Sequence, residues 1–137
     1  MAKSCGNSID RGVRVKKMST KSPRKQRKAR YQAPLHVKHK FLAAPLSREL
    51  RVQYNRRSLP VRKGDRVKIM RGDFKGMEGE VTRVDTKRGV IYVEGASITK
   101  ADGTQVQRPI NPSKVTLMRL AEDRWRTKVL QRGGGTG

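Results

Sequence analysis

Apolar positions follow two different rules along this chain, and the change comes near Leu59. Before it, Pro34-Leu35-His36-Val37-Lys38-His39-Lys40-Phe41-Leu42 predicts a short helix opened by Pro34, whose missing N–H is not needed in a first turn. Pro45 to Tyr54 predicts a second helix, with Leu46, Leu50 and Tyr54 at i, i+4 and i+8 on one packing face and Asn55 as its stop. Neither helix is long enough to stand alone in water, so each lies against a core or a partner.

From Leu59 the spacing shortens. Arg66–Met70, Glu80–Asp85, Val90–Glu94, Gln105–Arg108 and Val115–Leu120 are short runs rich in Val, Ile and Thr. Turn signals divide them at Lys63-Gly64-Asp65, Arg71-Gly72-Asp73, Lys75-Gly76, Arg88-Gly89, Ala101-Asp102-Gly103 and Asn111-Pro112-Ser113. Close-set short strands of this kind predict a mainly β fold, a small antiparallel barrel. Val67 and Ile69 face one way, Lys68 and Met70 the other. The alternation breaks at Gly79, which predicts a bulge bending a strand around a barrel corner. Residues 121–132 read as weakly helical, with Trp125 and Val129 four apart, ended by Gly133-Gly134-Gly135. Residues 1–30 show neither period and read as a flexible basic arm, densest from Ser22 to Arg30. The expected divisions are an arm at 1–33, short helices at 34–58, the barrel at 59–120 and a tail at 121–137.

Charge sharpens this division. The chain carries 34 basic and 11 acidic residues, a net of +23. Between Arg11 and Arg48 stand thirteen Lys and Arg and no Asp or Glu. Such an arm repels itself and stays extended until dense negative charge orders it. A nucleic-acid backbone supplies that charge, and compact RNA with deep clefts supplies it best. Hydrophobic residues make up 34%, below the usual ~45–50%, so a core of roughly 60 residues is expected, with a partner adding order. Cys5 is the single cysteine. It excludes an internal disulfide and a four-cysteine zinc site, and it reads as an unremarkable thiol. No apolar run approaches the ~20 residues that span a bilayer, and the basic start lacks an apolar signal segment. The expectation is a soluble cytoplasmic protein with no membrane partner.

The chemistry concentrates in Val61-Arg62-Lys63-Gly64-Asp65-Arg66-Val67-Lys68-Ile69-Met70-Arg71-Gly72-Asp73-Phe74-Lys75-Gly76-Met77-Glu78-Gly79-Glu80-Val81. A strand, a glycine-rich basic turn and a second strand follow in order. Gly72 and Gly76 tolerate positive φ and remove bulk, so backbone approaches a phosphate or sugar closely. Arg71 and Lys75 flank the loop with charge, and Phe74 offers a face to a base or ribose.

This stretch resembles the KOW motif: the Lys-Gly-Asp, the apolar strand, the Gly-Asp-Phe-Lys-Gly loop and the following Gly-Glu-Val stand in its order. The flanks extend the resemblance. Arg30-Tyr31-Gln32-Ala33-Pro34-Leu35-His36 and Pro45-Leu46-Ser47-Arg48-Glu49-Leu50-Arg51 precede it, and Ala101-Asp102-Gly103-Thr104 and Asn111-Pro112-Ser113-Lys114-Val115 follow it. Together, over roughly residues 20–130, they resemble the archaeal and eukaryotic form of the large-subunit ribosomal protein family L-twenty-four (L-twenty-six in eukaryotes). The resemblance implies an SH3-like β-barrel, the KOW domain, with a long basic N-terminal extension containing short helices and a short C-terminal helical tail. It implies a structural constituent of the large ribosomal subunit that binds ribosomal RNA, joins early in assembly and sits near the polypeptide exit tunnel. It also implies an archaeal source rather than a bacterial one. Residues 1–17 have no counterpart in the family pattern, so Met18 is the expected start and the residues before it an upstream extension.

The expected RNA contacts are Arg24, Lys25, Arg27, Lys28 and Arg30 in the arm, His36, His39 and Lys40 in the first helix, Arg62 and Lys63 in the Lys-Gly-Asp turn, Arg71, Phe74 and Lys75 in the loop, and Lys114. Gly64 and Gly79 read as structural. Trp125 reads as a surface anchor, with a base-stacking platform as the alternative. His36 and His39 lack companion ligands, so no metal is expected. Asp65, Asp73, Glu78, Glu80 and Asp85 lie among basic residues in or beside turns, where local pairing and solvation explain them. No carboxylate pair with a histidine base and no nucleophile triad is present, so neither enzymatic activity nor a cofactor is expected. The expected partners are ribosomal RNA and neighbouring large-subunit proteins, without homo-oligomerisation. The alternatives are a KOW transcription elongation factor, which normally carries a separate α/β domain before the barrel, and a basic nucleic-acid-binding protein that compacts DNA.

Overall fold

The computed structural model of the chain describes residues 20–133. Cys5 and the expected upstream extension at 1–17 lie outside the described residues. The chain forms two compact units, divided between Ala33 and Pro34.

In the first unit, helix α1 spans Pro23–Gln32, where the sequence predicts an irregular arm. It is helical because Arg, Lys, Gln and Ala are strong helix formers and Pro23 opens the first turn. The Gln26 side chain closes the start by donating to the Thr20 carbonyl at 3.0 Å. No residue of α1 is buried, so the sequence carries no apolar period to read.

The second unit opens with α2, Leu35–Phe41, which begins one residue after Pro34. Strand β1, Ala43–Pro45, then pairs antiparallel with β2, Ser58–Pro60. Helix α3, Arg48–Tyr54, joins them. Pro45, expected to open that helix, instead ends a strand. Ser47 caps α3, its hydroxyl accepting from the Leu50 N–H, and Asn55 stops it in a left-handed conformation at φ 48°. Leu46 is buried, and Leu50 and Tyr54 pack against the same core.

The core is built on a four-stranded antiparallel sheet of β3 (Arg66–Ile69), β4 (Glu78–Asp85), β5 (Val90–Val93) and β8 (Val115–Arg119). Their order across it is β5-β4-β3-β8. Val67 and Ile69 are fully buried while Met70 is exposed, as their alternation requires. A separate hairpin pairs β6, Ser97–Thr99, with β7, Gln105–Gln107. Helix α4, Arg124–Gly133, closes the described chain.

Three further expectations need correction. The described residues contain helix and strand in comparable amounts rather than mainly β structure. The four-stranded sheet is not closed on itself, because β5 and β8 are its two edges. Single bridges extend it instead, Leu46 to Leu117 on β8 and Ile110 to Ile91 on β5. Register shifts fall between Val81 and Arg83 on β4 and between Arg66 and Val67 on β3, not at Gly79. Gly79 is required by crowding: a Cβ there would lie 2.6 Å from the Glu94 carbonyl oxygen and 2.8 Å from Val93 Cγ1.

Candidate nucleic-acid interface

The loop between β3 and β4 is held by its own backbone. The Ile69 N–H donates to the Met77 carbonyl at 2.9 Å, and the Gly76 N–H returns to the Ile69 carbonyl at 2.8 Å. Gly72 and Gly76 sit at φ 100° and 90°. A Cβ on either would meet nothing within 4 Å, so backbone angle rather than crowding demands glycine there. Open space therefore lies above both glycines. Arg71 and Lys75 are exposed on either side. Phe74 is half-buried and packs against the core, so it anchors the loop and presents only part of its ring.

The Met70 N–H donates to the Lys114 carbonyl at 2.8 Å. That bond draws the loop to a single 3-10 turn, Pro112–Lys114, capped by the Asn111 side chain. A cleft results, lined by Arg71, Phe74, Arg108, Asn111 and Lys114 among others. The structure thus brings Lys114, expected separately, beside Arg71 and Phe74 of the loop. It adds Arg108, which sequence reasoning missed and which pairs with Asp73 at 3.4 Å.

The Lys-Gly-Asp turn divides its residues between two tasks. Lys63 is exposed. Arg62 forms an ion pair with Asp123, so its guanidinium is already engaged. Asp65 is fully buried. Its carboxylate accepts from the Arg62 N–H at 2.8 Å, the Ala121 N–H at 2.9 Å and both terminal nitrogens of Arg126. The expectation of a solvated, locally paired acid is corrected here: its principal partner lies 61 residues away.

His36, His39 and Lys40 lie on α2 and, at i, i+3 and i+4, share one side of it, all three exposed. Arg24, Lys25, Arg27, Lys28 and Arg30 stand on α1, which buries none of them, and are distributed around its axis rather than along one stripe. The β4–β5 turn, expected from Arg88-Gly89 but not as a contact, gathers Arg83, Lys87 and Arg88 around Asp85. The Arg88 and Lys87 N–H groups donate to the Asp85 carboxylate at 3.1 and 3.0 Å. The Arg88 N–H, then the Lys87 N–H and the Arg88 and Arg83 charges, hold that carboxyl below its ordinary value against an opposing effect of desolvation. The basic cluster around Asp85 is visible in the sequence, where the Arg88-Gly89 pair marks it only as a turn.

A family model describing the L26 ribosomal proteins of eukaryotes and their archaeal L24 counterparts matches residues 20–133. The chain belongs to this family. It is 55% identical over 116 residues to the large ribosomal subunit protein uL24 of Methanothrix thermoacetophila, a span covering 84% of this chain and 100% of that protein. It is 53% identical over 113 residues to the protein of the same name from Korarchaeum cryptofilum, covering 82% of this chain and 86% of that one. The family match takes in α1 as well as the sheet, so the basic helix is part of the shared chain. It also takes in every basic residue named above as a candidate contact.

Proposed function

We propose that the chain is a structural constituent of the large ribosomal subunit, working in the cytoplasm as part of the ribosome, and that it holds ribosomal RNA there. Family membership across residues 20–133 carries this reading. The charge supports it: a net of +23 favours a polyanion as partner.

The reading assigns work by position. Residues 59–120 act as a KOW unit of the SH3-like kind, in which the β3–β4 loop sets register on folded RNA. Arg71 and Lys75 reach phosphates, Phe74 steadies the loop and offers its open edge, and Lys114 completes the cleft. Lys63, with Arg62 where its pairing allows, acts at the neighbouring turn. His36, His39 and Lys40 contact RNA from the 34–58 segment. The 1–33 arm, through Arg24, Lys25, Arg27, Lys28 and Arg30, neutralises crowded phosphates. Neighbouring large-subunit proteins cover part of the remaining surface, and the C-terminal tail follows at 121–137. The role is scaffolding without catalysis, beginning early in subunit assembly and near the exit tunnel.

Sedimentation of the native chain from cell lysate tests the reading. The chain should travel with large subunits and leave them when ribosomal RNA is digested. Sedimentation with RNA polymerase, or with free DNA, would overturn it.

A further inference from the structure

Trp125 is the single tryptophan of the chain, and 70% of it is exposed. A large apolar ring left in water is the informative exception among surface residues. It is held there by an otherwise fixed helix. Arg126 and Leu130, one turn apart, are the buried residues of α4. The Arg56 guanidinium donates to the Val129 carbonyl at 2.7 Å and steadies the far end. Trp125, Lys128, Val129 and Arg132 fall at i, i+3, i+4 and i+7, on a side of α4 that does not enter the core. The Lys128 ammonium sits over one face of the ring, 5.0 Å from its centroid, and leaves the opposite face for stacking. No acid lies within α4, and Asp123 just before it is paired with Arg62.

We propose that α4 is a second RNA contact, with Trp125 as a stacking platform for an unpaired base and Lys128 and Arg132 as flanking phosphate contacts. An exposed ring with a cation beside it suits a single-stranded nucleotide, which carries both a π-face and a phosphate. A protein pocket receiving Trp125 would have to desolvate Lys128 and Arg132 as well, which is costly without matching acids. The proposal rests on the ribosomal-RNA reading above and adds a site on the C-terminal helix, outside the β3–β4 loop and its cleft.

The full chain is titrated with a short oligoadenylate and, separately, with inorganic polyphosphate, following tryptophan emission and binding anisotropy together. Oligoadenylate is expected to quench Trp125 as it binds, while polyphosphate binds without quenching. Trp125→Ala should weaken oligoadenylate binding by about fivefold to a hundredfold, the range expected for one lost base stack, and leave polyphosphate binding unchanged. Circular dichroism confirms that the variant keeps its fold. Oligoadenylate binding without quenching, or a Trp125→Ala variant that binds it normally, overturns the platform and leaves the ribosomal-RNA reading intact. Normal oligoadenylate binding with loss of Trp125→Ala from subunits assigns the ring to a protein neighbour and also overturns it. Failure of the parent chain to bind any RNA removes both readings.

Discussion

Arg126 on α4 grips the fully buried Asp65 with both guanidinium nitrogens, Nη1–Oδ1 at 2.5 Å and Nη2–Oδ2 at 2.9 Å. The same Nη2 reaches the Pro60 carbonyl at 3.1 Å. One contact therefore ties the entry to β3, the end of β2 and the C-terminal helix. Arg126→Ala leaves Asp65 buried and without its main partner, a loss of about 3–5 kcal/mol. Arg124→Ala, at an exposed position beside it, should cost less than about 0.5 kcal/mol. Chemical denaturation measures both. The double variant Asp65→Leu with Arg126→Met should be less destabilised than the two single losses added together, because no orphaned charge remains.

Gly79 and Gly72 separate two reasons for glycine. At Gly79 the obstacle to a methyl group is backbone, the Glu94 carbonyl, which cannot swing aside as a side chain does. Gly79→Ala should destabilise the sheet by about 1–3 kcal/mol, as overpacking does. Gly72→Ala meets open space but must hold φ 100°, at roughly 1–2 kcal/mol for a left-handed L-residue. Hydrogen exchange distinguishes them: Gly79→Ala should loosen β4 and β5, and Gly72→Ala only the loop.

Legibility in the sequence depends on whether a residue's partner is near along the chain. The alternation around Val67 and Ile69 locates β3, and Asn55 marks the end of α3. Both are local signals. Helix α1 escapes because a helix with no buried face has no apolar period. Strands β1 and β2 escape because each is three residues long and ends in proline, at Pro45 and Pro60. The Asp65–Arg126 pair leaves no local mark at all. In the candidate interface, the residue types are readable from charge and glycine spacing. The joining of Arg71 and Lys114 in one cleft depends on a hydrogen bond from Met70 to Lys114 across the sheet, which spacing does not encode.

Salt should weaken RNA binding steeply. Each neutralised phosphate contributes about −0.7 to −0.9 to the slope of log K against log salt, so on the order of 10 contacts gives roughly −7 to −9. A filter-binding series that returns a slope shallower than about −3 would contradict the contact set. Removing charge at Arg24, Lys25, Arg27 and Lys28 together should flatten the slope by about 3 and weaken all RNA alike. Replacing Arg71 and Lys114, which share one cleft, should instead disturb protection of a particular RNA segment in chemical footprinting.

The β4–β5 turn gives a pH signature with a definite sign. Asp85 is held below the ordinary aspartate value of 3.8 chiefly by the Arg88 N–H, then by the Lys87 N–H and the Arg88 and Arg83 charges. Folding therefore favours the ionised form. The stabilisation this provides is complete above 3.8 and fades as pH falls through the lower folded value. A carboxyl NMR titration should find the Asp85 midpoint below 3.8. Asp85→Asn keeps an oxygen to accept the Lys87 and Arg88 N–H groups, so the turn should persist while its acid-dependent loosening disappears. The substitution also removes the carboxylate that offsets Arg83, Lys87 and Arg88. If this turn lies on RNA, Asp85→Asn strengthens binding and steepens its salt dependence; a turn facing only solvent shows the pH effect without either change.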